Sequence, residues 1–193
     1  MIIRKANITD DFITISNLIY NTDQYIYPYF FKNTPNWQEY LTQMIKTKGT
    51  IFYYENILLS IIDDEIAGII ISFDENTYLS QDYSKWIDIN KNFHFTIKKY
   101  ILPTISHKLE NSIYISNVCV DKKFRGKGVS KNLFSYLYNN YPNKNFELDV
   151  LEENSIALNL YKSQGFEIVS KIKGFNAPYK RKPLVYCMKK YLK

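Results

Sequence analysis

The segment Arg125-Gly126-Lys127-Gly128-Val129-Ser130 carries the most chemical information in this 193-residue chain. Glycines let a backbone take positive φ and approach a bulky anion closely. An amphipathic helix pattern starts directly after them, with Val129, Leu133 and Leu137 at i, i+4 and i+8 and Phe134 and Tyr138 beside them. A helix beginning there aims unpaired N–H groups and a partial positive charge at the same anion. Arg125 and Lys127 add side-chain charge. The segment predicts a phosphate or pyrophosphate site, with a basic surface turn as the alternative. Other phosphate loops fit worse: the Gly-Lys-Ser/Thr of a Walker loop is absent, and so is the third glycine of a dinucleotide fingerprint.

The elements that must position this loop read as follows. Residues 2–7 form a first strand. Asp10 or Asp11 caps a helix to about Tyr20. An aromatic loop, Tyr25–Phe31, precedes a second helix from about Asn36 to Ile45. Residues 50–62 and 66–73 are β-rich runs joined by a hairpin at Asp63-Asp64-Glu65. Residues 74–111, with Trp86, Phe93, Phe95 and a breaking Pro103, read as a helical insertion. Residues 112–120 are almost continuously apolar, as in a central buried strand. The loop and its helix to Asn140 follow, then a strand at 146–151. Asn154 can cap a further helix to Gln164, with Gly165 at its left-handed end. Residues 166–173 and 184–190 supply the last strands. The order describes one α/β (α+β) domain over residues 1–193 with a mixed sheet.

Composition narrows the partners. The net charge of +6 is scattered, and the densest basic run is Lys180-Arg181-Lys182. That suits an anionic small molecule and argues against nucleic acid, which needs basic residues gathered on one face. No apolar run approaches the roughly 20 residues of a membrane span, and no signal peptide pattern follows Met1. Cys119 and Cys187 lie in strand-like segments, so free buried thiols are expected, with no metal site and a reducing cytoplasmic setting. The 18 Tyr and 12 Phe make the chain aromatic-rich, a bias that an AT-rich genome produces as readily as function does.

Two stretches together resemble the GNAT N-acetyltransferase superfamily. Val120-Asp121-Lys122-Lys123-Phe124-Arg125-Gly126-Lys127-Gly128-Val129-Ser130 is similar to its pyrophosphate motif, Gln/Arg-x-x-Gly-x-Gly/Ala after a Val-Asp-Pro-like strand end. Asn154-Ser155-Ile156-Ala157-Leu158-Asn159-Leu160-Tyr161-Lys162-Ser163-Gln164-Gly165-Phe166 is similar to its Asn-x-x-Ala-x-x-x-Tyr-x-x-x-Gly-Phe signature. By motif the likeness covers about residues 112–190. It implies a mixed, mostly antiparallel central sheet of about seven strands, flanked by helices and splayed between the fourth and fifth strands. It also implies acetyl-CoA as acyl donor and direct attack by a primary amine of a small molecule or peptide. Backbone N–H groups of Arg125 through Ser130 would hold the pyrophosphate. The edge Val118-Cys119-Val120 would pair with the pantetheine arm and polarise the thioester carbonyl. Asn154 would support the arm, and Tyr161 would protonate the leaving thiolate. The other reading of Tyr161 is a helix tyrosine packed on the sheet.

The chain departs from the family pattern twice. Ser130 stands at the last small position of the first motif. Many relatives carry a glutamate base on the fourth strand, where this chain has Ser116 and Asn117. The base is therefore open among Asp149, Glu147, Glu152, His94 and an ordered water chain. A missing base also leaves a silent acyl-CoA-binding regulatory module as the alternative function. Cys119 invites a ping-pong acyl-thiol, but packing in a buried strand suits it better. The aromatic loop 25–31 is either an amine cage or a core plug. The insertion at 74–111 either roofs the acceptor site or builds a dimer contact, so monomer and homodimer both stand.

Overall fold

The computed structural model describes residues 1–32, 34–82, 111–173 and 183–192. Thirteen elements follow in chain order: β1 (Ile2–Lys5), α1 (Phe12–Tyr20), α2 (Ile26–Phe30), α3 (Trp37–Lys46), β2 (Ile57–Ile62), β3 (Glu65–Asp74), α4 (Glu75–Leu79), β4 (Ser112–Val120), α5 (Val129–Asn140), β5 (Asn145–Leu151), α6 (Ser155–Ser163), β6 (Glu167–Lys173) and β7 (Leu184–Lys190). Residues 83–110 of the expected insertion, with Trp86, His94 and Pro103, lie outside the described residues, as does the run Lys180–Lys182.

The strands form one seven-stranded sheet in the order β1-β2-β3-β4-β5-β7-β6. Every neighbouring pair is antiparallel except β4 and β5. The hairpin between β2 and β3 turns on Asp63 and Asp64 at φ 50° and 61°, the positive pair of a two-residue turn that matches strand twist. Helices cover both faces. On one, α1 and α3 pack Ile15, Ile19, Leu41, Met44 and Ile45 against Leu59, Ile69, Ile71 and Phe73. On the other, α5 lays Val129, Leu133, Phe134 and Leu137 over Leu58, Ile70, Ile113 and Ile115, joined by Tyr161 and Phe166.

Two local expectations are corrected. The aromatic loop contains the short helix α2. Asp23 Oδ1 accepts from the Tyr25 and Ile26 amides, each at 2.7 Å, and Pro28 falls in the first turn, where a missing N–H costs nothing. The run expected to be β from residue 50 starts only at Ile57. Thr50 Oγ1 instead donates to Met44 O at 2.9 Å and Asn56 Nδ2 to Ile51 O at 3.2 Å, which ties residues 50–56 into turns.

β4 positions the site in two ways. Its parallel pairing with β5 covers only Ser112↔Asn145 to Ile115↔Leu148, while β4 runs on to Val120 and β5 to Leu151. The two strands therefore diverge after Ile115 and Leu148, which is the splay expected between the fourth and fifth strands. In addition, Ile115 pairs with Ser72 and Asn117 with Ile71, so Ser116 is a bulge residue. A bulge resets which side chain faces which side. Ile113 and Ile115 face α5, and after the bulge so do Val118 and Val120, while Tyr114 and Cys119 join the α1 side.

Candidate active site

The anion loop is built from the end of β4. The Asp121 amide donates to Ala67 O at 2.9 Å, and Asp121 Oδ1 accepts from the Lys123 amide at 2.9 Å. A short 3-10 turn, Lys122–Phe124, buries Phe124 beneath the ammonium groups of Lys123 and Lys127, 4.9 and 5.1 Å from its ring centroid. Lys123 also pairs with Glu65. Gly126 and Gly128 take φ of 77° and 75°, the left-handed region that other residues enter at a cost. The Arg125 and Lys127 amides make long 3.4 Å bonds to Lys122 O and Phe124 O. The amides of Gly126, Gly128, Val129 and Ser130 find no acceptor among the described residues. A Cβ placed on Gly126 meets nothing within 4 Å, so space lies open above the loop. Open space, free N–H groups at the start of a 12-residue helix and flanking cations fit a diphosphate.

Gly68 sets the height of this cradle, and the motif reading missed it. A Cβ there stands 2.8 Å from Cys119 O and 2.9 Å from Val129 Cγ1. Only a glycine on β3 lets the first turn of α5 settle this close to the sheet.

Beyond Ile115 the β5 side of β4 pairs with no strand among the described residues. Strand amides alternate sides, and the Asp121 amide points at β3, so the Cys119 amide does too. Val118 and Val120 then turn their amides to the open side, and these two can meet an extended ligand arm. Cys119 turns its side chain into the core beside α1, and burial pushes its thiol up to about 11. A group so reluctant to ionise makes a poor nucleophile, which supports packing. Cys187 is likewise buried and outside any disulfide among the described residues.

Tyr161 comes from α6, which starts with Asn154 Oδ1 accepting from the Ala157 amide at 3.1 Å and ends at Gly165 with φ 87°. Asn154 thus spends its carbonyl oxygen on the helix cap and keeps its amide nitrogen for any ligand. The Tyr161 ring lies edge-on between Phe134 and Phe166, with centroids 6.2 and 6.0 Å away. Burial pushes its phenol up to about 12, so it holds its proton at neutral pH. Its hydroxyl makes no hydrogen bond to a described residue.

The carboxylates divide by environment. Glu147 is buried and held by Lys189 Nζ at 2.9 Å and Ser112 Oγ at 2.6 Å. Glu152 is paired with Lys171 and with the Tyr186 hydroxyl. Asp149 Oδ2 accepts from Tyr114 Oη at 3.0 Å. His94 lies outside the described residues. Ser116 Oγ reaches back to Ile71 O at 3.4 Å.

Asn117 does something its sequence position alone did not reveal. Its Nδ2 donates to Thr22 Oγ1 at 2.8 Å and to Tyr27 Oη at 2.9 Å. Thr22 has already spent its proton on Ile19 O at 2.6 Å, which fixes the amide orientation. The β4 bulge is thereby pinned to the segment between α1 and α2. Tyr27 is buried in the α1-side core, so that tyrosine plugs the core. The signal for Asn117 was present, as an amide in an apolar strand. Gly68 and Tyr114 offered none.

Comparisons with known proteins agree with this geometry. Residues 95–168 match the family model described as Acetyltransferase (GNAT) domain. No curated protein matches the chain. Among solved structures, an N-acetyltransferase from Staphylococcus aureus Mu50 superposes with a TM-score of 0.70 at 20% identity, over 98% of this chain and 100% of that one. The ribosomal-protein-S18-alanine N-acetyltransferase from Escherichia coli gives 0.58 at 12%, over 99% and 93%. A GNAT family acetyltransferase from Elizabethkingia anophelis with acetyl-CoA bound gives 0.57 at 15%, over 99% and 97%. The fold is that of the GNAT acetyltransferases, and the stretch 95–168 is similar to their domain model. Among the described residues, no helix is long and apolar enough to cross a membrane, and no three metal-ligating side chains cluster.

Proposed function

We propose that the protein transfers an acetyl group from acetyl-CoA to a primary amine by direct attack within a ternary complex. The observation that carries this reading is the loop Arg125–Ser130, where the amides of Gly126, Gly128, Val129 and Ser130 find no acceptor among the described residues. The diphosphate of the donor would lie on the Gly126, Gly128, Val129 and Ser130 amides, with Arg125 and Lys127 adding charge. Its arm would run along Val118 and Val120, supported from Asn154. An amide there would polarise the thioester carbonyl, and Tyr161 would give its proton to the leaving sulfur. The acceptor class is a small-molecule or peptide amine. The Escherichia coli neighbour, named for a protein-alanine acceptor, is consistent with the peptide end of that class.

The test is a thermal-shift and turnover pair. A ligand at 100 times its Kd stabilises by about 2.7 kcal/mol, so acetyl-CoA should raise the melting temperature and ATP should not. Turnover is followed as thiol release with a panel of alkylamines, arylalkylamines and short peptides. Stabilisation by acetyl-CoA with no turnover on any amine points to the silent regulatory module. Stabilisation by ATP alone removes both readings.

A further inference from the structure

The acetyl-transfer reading leaves the amine's own contacts unassigned, and one side-chain oxygen on β4 is placed to make one. Parallel pairing stops at Ile115↔Leu148, so Asn117 stands two residues, roughly 7 Å, into the divergent stretch of β4. Asn117 pairs with Ile71 on β3. Ile71 and Cys119, which share its face, belong to the α1-side core, so the Asn117 side chain points to that side. Asn117 is 6% exposed, and a polar side chain that deep needs its hydrogen bonds met. Its nitrogen uses both protons, on Thr22 Oγ1 at 2.8 Å and Tyr27 Oη at 2.9 Å. The Thr22 proton goes to Ile19 O, so turning the amide over would set Oδ1 against an oxygen with no proton to offer. Oδ1 itself receives no hydrogen bond from a described residue. Among the described residues, the side-chain polar atoms sealed without a partner are Ser60 Oγ, Tyr138 Oη and Asp149 Oδ1. Asn117 Oδ1 is not sealed and meets open space.

We propose that Asn117 Oδ1 accepts an N–H of the acceptor amine and aims its lone pair at the thioester, with Thr22 and Tyr27 as positioning residues. This rests on the acetyl-transfer reading above. The next residue, Val118, turns its amide to the side of β4 where the donor arm would run, so amine and thioester meet within one residue of each other. An amide oxygen accepts a hydrogen bond but does not keep a proton at neutral pH, so the role is orientation. A primary ammonium first sheds one proton to solvent. Its nitrogen forms the bond to the carbonyl carbon, and the carbonyl π electrons move onto oxygen. The nitrogen then gives its extra proton to water as the C–S bond breaks and the sulfur takes the Tyr161 proton. Solvent returns one proton to the Tyr161 phenolate, so one proton is released per turnover and nothing else is consumed.

The groups around Asn117 suit an amine arriving from this side. Burial raises the Tyr27 phenol, and the charge of Asp23 raises it further. Tyr27 therefore stays protonated and uncharged, and the negative potential that Asp23 sets up there favours an incoming ammonium. Cys119, next along the same face, is pushed up to about 11 by burial and stays a neutral thiol. Ser116 Oγ is turned to Ile71 O. Asn117 Oδ1 is left as the strong side-chain acceptor on this stretch of β4.

The experiment compares wild type, Asn117→Ala, Asn117→Asp and Tyr27→Phe, with acetyl-CoA affinity from calorimetry and separate KM values for acetyl-CoA and the best amine of the panel. Asn117→Ala should raise the amine KM by roughly 10-fold or more, the worth of one hydrogen bond to a charged or reacting group, and bind acetyl-CoA as wild type does. Asn117→Asp keeps an oxygen acceptor and should recover most of the amine affinity. Tyr27→Phe frees one anchor of the amide without touching the ligand, so it should raise the amine KM by a smaller factor. A merely structural Asn117 would lower acetyl-CoA affinity and kcat together and leave the amine KM unmoved. That result overturns the contact alone, since wild type still turns over. A wild type that binds acetyl-CoA and turns over no amine overturns the acetyl-transfer reading and the contact with it. Should Asn117→Ala fail to fold, Tyr27→Phe decides: an unchanged amine KM there overturns the contact.

Discussion

At the scale of single residues, Tyr161 carries the acid role proposed above, and its ring is packed in the α5-side core. A phenol pushed up to about 12 is a weaker acid than a thiol near its ordinary value of about 8.5, so the proposed transfer has to run together with C–S cleavage rather than to a fully formed thiolate. Tyr161→Phe deletes one oxygen from a ring that Phe134 and Phe166 already hold edge-on, so the fold should survive. Its kcat should fall roughly 10²-fold or more, while acetyl-CoA affinity measured by calorimetry stays within about twofold, because the amide cradle that sets it is untouched. Unchanged kcat in that variant would return Tyr161 to a packing role. The place of Tyr161 on α6 was legible because Ala157 and Gly165-Phe166 sit within one helix turn or two. The Tyr114–Asp149 contact was not, since it joins residues 35 positions apart through a parallel register that no local pattern encodes.

At the scale of elements, the cradle depends on two kinds of glycine. Gly128 supplies a conformation at φ 75°, and Gly128→Ala should cost roughly 1–2 kcal/mol by forcing a side chain into the left-handed region. Gly68 supplies space, and Gly68→Ala should cost about 1–3 kcal/mol as the first turn of α5 is pushed off β3. Denaturant unfolding measures both. The two should also weaken acetyl-CoA binding, Gly68→Ala without touching the ligand at all. Equal affinity in Gly68→Ala would show that the loop does not need the sheet beneath it. The helices and strands from β4 onward were readable because their caps and periods are strong: Val129 to Asn140, the Asn154 cap and the Gly165 stop all stand where spacing put them. The reading failed where side chains override period. Asp23 turns an aromatic stretch into α2, and Thr50 with Asn56 delays β2. The Ser116 bulge was also invisible, because an inserted residue leaves no mark in an apolar strand.

For the molecule as a whole, the N-terminal segment contributes an acid-sensitive share of stability. Arg4 hydrogen-bonds Asp10 and draws its pKa below the ordinary 3.8, against burial. The Thr14 hydroxyl does the same to Asp11 at the α1 cap. Both groups are lowered on folding, so their contribution is full above that ordinary value and is lost as pH falls below it. Melting temperature should therefore fall on acidification, and Asp10→Asn should flatten that fall; an unchanged slope would assign the acid sensitivity elsewhere. The same whole-molecule arrangement places the loop Arg125–Ser130 at the start of α5, the Tyr114–Asp149 contact on the α1 side and the divergence of β4 from β5 between them. The central claim is that the loop amides grip a diphosphate. It is tested most directly by titrating ¹⁵N-labelled protein with coenzyme A and, in parallel, with pantetheine, which has no diphosphate. The account predicts the largest amide shifts at Gly126, Gly128, Val129 and Ser130 with coenzyme A and none there with pantetheine; amides at those positions that stay still under saturating coenzyme A would contradict it.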